Sequence, residues 1–165
     1  MFPARDFIRQ NPETVQDLLP AGLARHAEAR ALVEAHPTGA TYLAGYAVEM
    51  VLKHAALRTE GLLPHVPVFA TLPAARQRLR VWLGDVDHDG YHSLEFWSLL
   101  LRETFRHRRG EVPALVAQAS RRAALLHHGW SVALRYRDGI VSGVDAAELV
   151  SAAGWFVAQQ EDLWS

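Results

Sequence analysis

The chain has 165 residues, half of them hydrophobic and about a fifth charged, with 17 basic against 18 acidic side chains and a formal net charge of −1. That length suits one domain with its own core. The absence of cysteine excludes a disulfide framework, a thiolate nucleophile and cysteine-ligated zinc.

No apolar run approaches the roughly 18 residues of a membrane span. The opening Met-Phe-Pro-Ala-Arg-Asp lacks the basic-then-apolar layout of a secretory signal, so a cytoplasmic protein is expected. The elements follow in chain order. Asn11-Pro12-Glu13 has the cap, proline and acid of a helix start, and Pro20 and Gly22 predict an early end to that short helix. A second helix is expected over 21–35, packing through Leu23, Ala27, Ala31 and Leu32. His36-Pro37-Thr38-Gly39 makes a tight corner with Thr38 as cap, which implies an antiparallel helical hairpin.

Residues 41–58 then read as a long, mostly buried helix. They contain no proline, and Leu43, Ala47, Met50 and Val51 recur at helical steps. Tyr42, Tyr46, Glu49 and Lys53 form a second stripe on this helix. Glu49 and Lys53 stand four apart in the favourable order, acid before base, and predict a structural ion pair. Lys53 is the only lysine in the chain.

Two prolines and a glycine deny a regular element to 60–69. A short helix is expected over 73–82, a turn-rich loop over 84–90 and a helix over 93–107 packing through Leu94, Trp97, Leu100, Leu101 and Phe105. A longer one is expected over 113–135 with a bend at Gly129, then a loop over 138–143. Acids in the first turn open the last helix at Val144. Nothing reads as a strand. Between Arg102 and Arg137 lie eight arginines against Glu103 and Glu111, so this half is locally basic and suited to phosphates or to a solvated helix face.

Three segments in order carry a family resemblance. Ala44-Gly-Tyr-Ala-Val-Glu-Met-Val-Leu-Lys53 resembles the second-helix signature of the HEPN family, the higher eukaryote and prokaryote nucleotide-binding domains. Tyr91-His-Ser-Leu-Glu-Phe-Trp-Ser-Leu-Leu100 is similar to its His-Asp-Leu segment, with Ser93 in place of the usual Asp. Arg135-Tyr136-Arg137-Asp138 and the acid-led helix after it are similar to its Arg-Tyr-Pro ending, with Arg137 where proline is usual.

The resemblance implies an all-α, up-and-down helical bundle of HEPN type, one domain over 1–165 with its core at about 21–163, extra short helices and a middle insertion at 59–92. It also implies a homodimer and a role in a toxin-antitoxin or defence-type system. There the domain would act as a helper or adaptor that binds RNA, another nucleic acid or a nucleotide, beside a minimal nucleotidyltransferase. The residues such binding would use are Tyr42, Tyr46, Arg106, Arg108, Arg109, Arg135 and Tyr136.

Catalytic members are metal-independent ribonucleases with Arg, four to six residues, then His. Arg would stabilise the phosphorane charge and His would move the proton of the ribose 2′-hydroxyl. Arg102 with His107 has this spacing, and Arg122 with His127 (or His128) is the alternative pair. A polar residue, Glu103, follows Arg102, though it is not the Asn, Asp or His usual there, and Ala123 after Arg122 departs from the pattern.

A separate signal is Asp85-Val-Asp87-His-Asp89-Gly90, which matches positions 1, 3, 5 and 6 of an EF-hand calcium loop. The bidentate acid is missing, because Phe96 occupies position 12 and Glu95 comes one residue early. The expectation is therefore no cofactor, with calcium at Asp85, Asp87 and Asp89 as the alternative reading, and a transition metal between His88 and His92 as a further one.

Overall fold

The computed structural model describes residues 13–84, 91–137 and 139–165, and the side chains at 135 and 136 lie outside that description. The helix start at Asn11-Pro12, the loop acids Asp85, Asp87 and Asp89, His88, and the binding groups of Arg135 and Tyr136 therefore lie outside the described residues. What is described is all-α: α1 (Val15–Leu32), α2 (Pro37–Thr59), α3 (Val68–Leu83), α4 (Leu94–Arg109), α5 (Ala114–Gly129) and α6 (Gly143–Ala158), with a 3-10 turn at Val132–Tyr136. The described residues include no strand, only one antiparallel bridge between Thr14 and Pro67.

The expected central helix is α2. Sixteen of its 23 residues are buried, which is the behaviour of a helix apolar on nearly all sides. It is enclosed by α1, α4, α6 and the 3-10 turn, while α5 packs on α4 and α6, and α3 leans on α4. It begins at Pro37 rather than 41, because proline's fixed φ suits the first helical position. Thr38 is consequently inside the helix and not its cap, and its hydroxyl accepts from the Val141 N–H at 3.3 Å.

Two helices ignore the prolines expected to bound them. Pro20 does not end the first helix: α1 runs unbroken through Pro20 and Gly22, at the cost of the one backbone bond that a Pro20 N–H would have donated. Gly22 has a tertiary reason, for a Cβ there would stand 3.2 Å from Met50 Cβ and 3.3 Å from Ala47 O of α2. This close approach fixes which face of α1 is buried, namely Val15, Leu18, Gly22 and Ala29, and leaves Leu23, Ala27 and Ala31 exposed, contrary to the stripe expected.

In the same way α3 begins at Val68, not Pro73, and the 59–92 segment supplies Val68, Leu72, Ala75 and Leu79 to the core. The chain before α3 also caps α1. Val15 and Gln16 N–H groups donate to Val66 O and Pro64 O at 3.1 and 2.9 Å, and the Val68 N–H returns a bond to Glu13 O at 2.9 Å. Helix-start donors that need partners are satisfied there by a loop.

The third difference concerns 113–135. Helix α5 stops at Gly129 and Trp130 is extended, so the single bent helix expected there is a helix, a break and a 3-10 turn. The break lets Trp130 reach α2, where its Nε1–H donates to Tyr42 O at 3.1 Å and its indole is buried. Helix α4 follows expectation, with Leu94, Trp97, Leu100, Leu101 and Phe105 all in the core.

Candidate functional site

The stripe on α2 leads into a buried charged centre. Lys53 Nζ stands 2.5 Å from Glu49 Oε1, and the two residues are only 2 % and 1 % exposed. The chain before α4 closes over them. The Lys53 ammonium lies 3.6 Å from the centre of the Tyr91 ring and 5.6 Å from that of Trp97, while His92 Nδ1 approaches Glu49 Oε1 and Oε2 at 3.1 and 3.2 Å. Burial, and after it the charge of Glu13, pushes the Tyr91 phenol above its usual range, so it stays protonated and donates to Glu13 Oε2 at 2.9 Å.

Tyr46 makes edge contacts with Tyr42, His92 and Trp130 at 4.9 to 5.7 Å between ring centres. Tyr42 and Tyr46 thus form the aromatic wall of this centre. The expected pair is present, and the structure adds Tyr91, His92 and Trp130 to it. Its donors and acceptors meet one another, as buried charges require.

The second arrangement is on α4. Glu103 is 1 % exposed, yet it accepts from Arg102 Nε at 2.8 Å and from Arg106 Nη1 at 3.0 and 2.8 Å. One buried carboxylate therefore fixes two guanidinium groups, whose side chains are 31 % and 52 % exposed, and the trio carries a net charge of about +1. Arg102 opens onto a groove of about 260 Å³ between α4 and α5, with Ser98, Ser120 and Arg121 on its walls.

His107 goes elsewhere. Its ring stacks on Trp82 of α3 with 4.5 Å between ring centres and 16° between planes. Five residues along an α-helix is about 140° around it, and the different neighbours of Arg102 and His107 reflect that angle. Within one copy of the chain they do not converge.

The alternative pair is divided as well. Arg122 lies over the Trp155 ring at 4.6 Å, and His127 is half-buried with no hydrogen-bond partner for Nδ1 among the described residues. His128 Nδ1 pairs with Ala124 O at 2.7 Å. Of the other arginines, Arg108 donates to Thr59 O at 2.9 Å, and Arg109 donates to Ser165 O at 2.8 Å while covering the Phe105 ring. Among the described residues no three His, Asp or Glu side chains gather as a metal site.

His54 offers a pH test of the core. It is buried on α2 with its ring edge-on to Trp164, and burial, then the charge of Arg58, lowers its pKa below the ordinary 6.5. Below that ordinary value the unfolded chain binds the proton more readily than the folded one, so this group's contribution to stability is lost as pH falls. Urea midpoints measured at about pH 7 and about pH 5.5 should therefore drop more for the wild type than for His54→Gln. Equal drops would contradict the buried, uncharged imidazole.

Compared with protein-family models, curated proteins and solved structures, the chain matches none. The fold and site themselves define an all-α bundle with a sealed Glu–Lys centre and an arginine-bearing outer helix. No helix among the described residues is long and apolar enough to cross a membrane.

Proposed function

We propose that the chain is a HEPN-like helper domain that binds RNA through the arginine face of α4 and does not cleave it. One observation carries this reading: buried Glu103 holds the partly exposed Arg102 and Arg106 in fixed orientation. Arginine forks that are already ordered lose less entropy when they meet a phosphate, and their planar geometry suits phosphate oxygens. The nearby groove adds Arg121, with Glu95 also on its walls.

The ribonuclease reading asks Arg102 and His107, or Arg122 and His127, to act on one phosphate. Those pairs face different neighbours in the chain, which favours binding without cleavage.

The test is fluorescence anisotropy of a labelled single-stranded RNA against the full chain over a salt series. Affinity should fall linearly on a log–log plot. Arg106→Ala should weaken binding about fivefold to thirtyfold and reduce the salt slope by about one, with the RNA intact after incubation without metal. Salt-independent binding, or an Arg106→Ala slope equal to wild type, would refute the reading. Metal-free cleavage abolished by His107→Ala would establish the nuclease instead.

A further inference from the structure

Helices α3 and α4 run in the same direction and finish together. Phe69 near the start of α3 meets Tyr91 just before α4, and Trp82 near the end of α3 meets His107 near the end of α4. Both helices stop at a glycine of positive φ, Gly84 at 84° and Gly110 at 77°, each closing with a bond to the carbonyl four residues back. These two endings leave the stacked rings at one corner of the bundle.

The corner is unlike the aromatic contacts inside. Those around Tyr46, Phe96 and Trp155 are edge-on, whereas Trp82 and His107 lie nearly parallel, with Trp82 half-buried and His107 exposed. Parallel rings with an exposed member extend a flat surface outward. Val81 beside it is 70 % exposed, and Arg106 and Arg108 flank His107 in the chain.

Building on the RNA-binding reading above, we infer that the Trp82–His107 pair is a stacking platform for an unpaired base, so that the polyanion is single-stranded. Trp82 anchors the imidazole, one base lies on its outer face, and the adjoining phosphate lies toward Arg106, which Glu103 orients. Bases in a duplex are stacked on each other and cannot take this position, whereas single strands are recognised by such flat aromatic groups beside positive charge.

The experiment measures anisotropy with three RNA probes that carry the same number of phosphates: a single strand, the same strand with abasic sites, and a duplex of half that length. The single strand should bind the wild type most tightly. His107→Ala should lose about fivefold to hundredfold on the single strand with an unchanged salt slope and no loss on the abasic probe. His107→Phe, which keeps a flat ring without a titrating nitrogen, should restore the affinity.

Equal binding of abasic and base-bearing strands by the wild type would overturn the platform, as would a His107→Phe variant as weak as His107→Ala. If salt-dependent binding persists in those cases, the platform alone fails. If no probe binds in a salt-dependent way, the RNA-binding reading fails with it. Thermal melts of the variants check that exposed His107 can be changed without unfolding the chain.

Discussion

Replacing Lys53 by methionine should destabilise the protein by about 3–5 kcal/mol, because it leaves the Glu49 carboxylate buried without its cation. The two groups are 2.5 Å apart and almost wholly enclosed. His92 reaches Glu49 from the surface side but does not fill the space of the lysine. For a chain of this length a loss of that size lowers the melting temperature by about 10 °C. Met fills most of the aliphatic volume of Lys, so the deficit reports the charge and the contact with the Tyr91 ring.

A second substitution separates the pair's net worth from the cost of breaking it. Adding Glu49→Leu to Lys53→Met removes the stranded carboxylate, and buried ion pairs replaced by apolar residues of similar volume are often neutral or better. The double variant should therefore recover most of the lost stability in urea titrations. A single Lys53→Met variant within about 1 kcal/mol of wild type would mean that the carboxylate is not dehydrated as the structure has it.

The contrast between what could and could not be read from the sequence follows the range of the interactions. Helix α2 was legible because its causes are local: no proline after its first residue, apolar steps of three and four, and Glu49 one turn before Lys53. Its partners Tyr91 and His92 were not, since nothing near residue 49 refers to a segment more than forty positions away. The same limit explains α1. Pro20 and Gly22 look like breakers in isolation, but Gly22 lies where α1 packs tightly on Ala47, Met50 and Val51 of α2, so tertiary packing outweighs local preference.

For Arg102 and His107 the spacing did not reveal their different surroundings. The interval is satisfied, yet α5 borders one side chain and α3 the other. Glu103 had a signal that could be read, an acid one residue after Arg102 and three before Arg106. Its near-complete burial had none, because that depends on what α4 packs against.

The break after Gly129 carries the other large effect. Gly45→Ala would place a Cβ 2.0 Å from Trp130 Nε1, 2.1 Å from Cδ1 and 2.2 Å from Cε2. These distances allow no small adjustment, so either the indole leaves its site or α2 moves. Expelling the indole gives up most of its burial and the bond to Tyr42 O, a loss of the kind that costs about 3–5 kcal/mol when a core Trp is truncated. Tyr46 would lose its edge contact as well.

The decisive measurement is a double-mutant cycle. In a Trp130→Ala background the obstruction is gone, and alanine exceeds glycine in a helix interior by about 1 kcal/mol. Gly45→Ala should then change from severely destabilising to neutral or mildly stabilising. If it costs as much without the indole as with it, Gly45 is required by something other than Trp130, and the long-range cause assigned to the break in the helix expected over 113–135 is wrong.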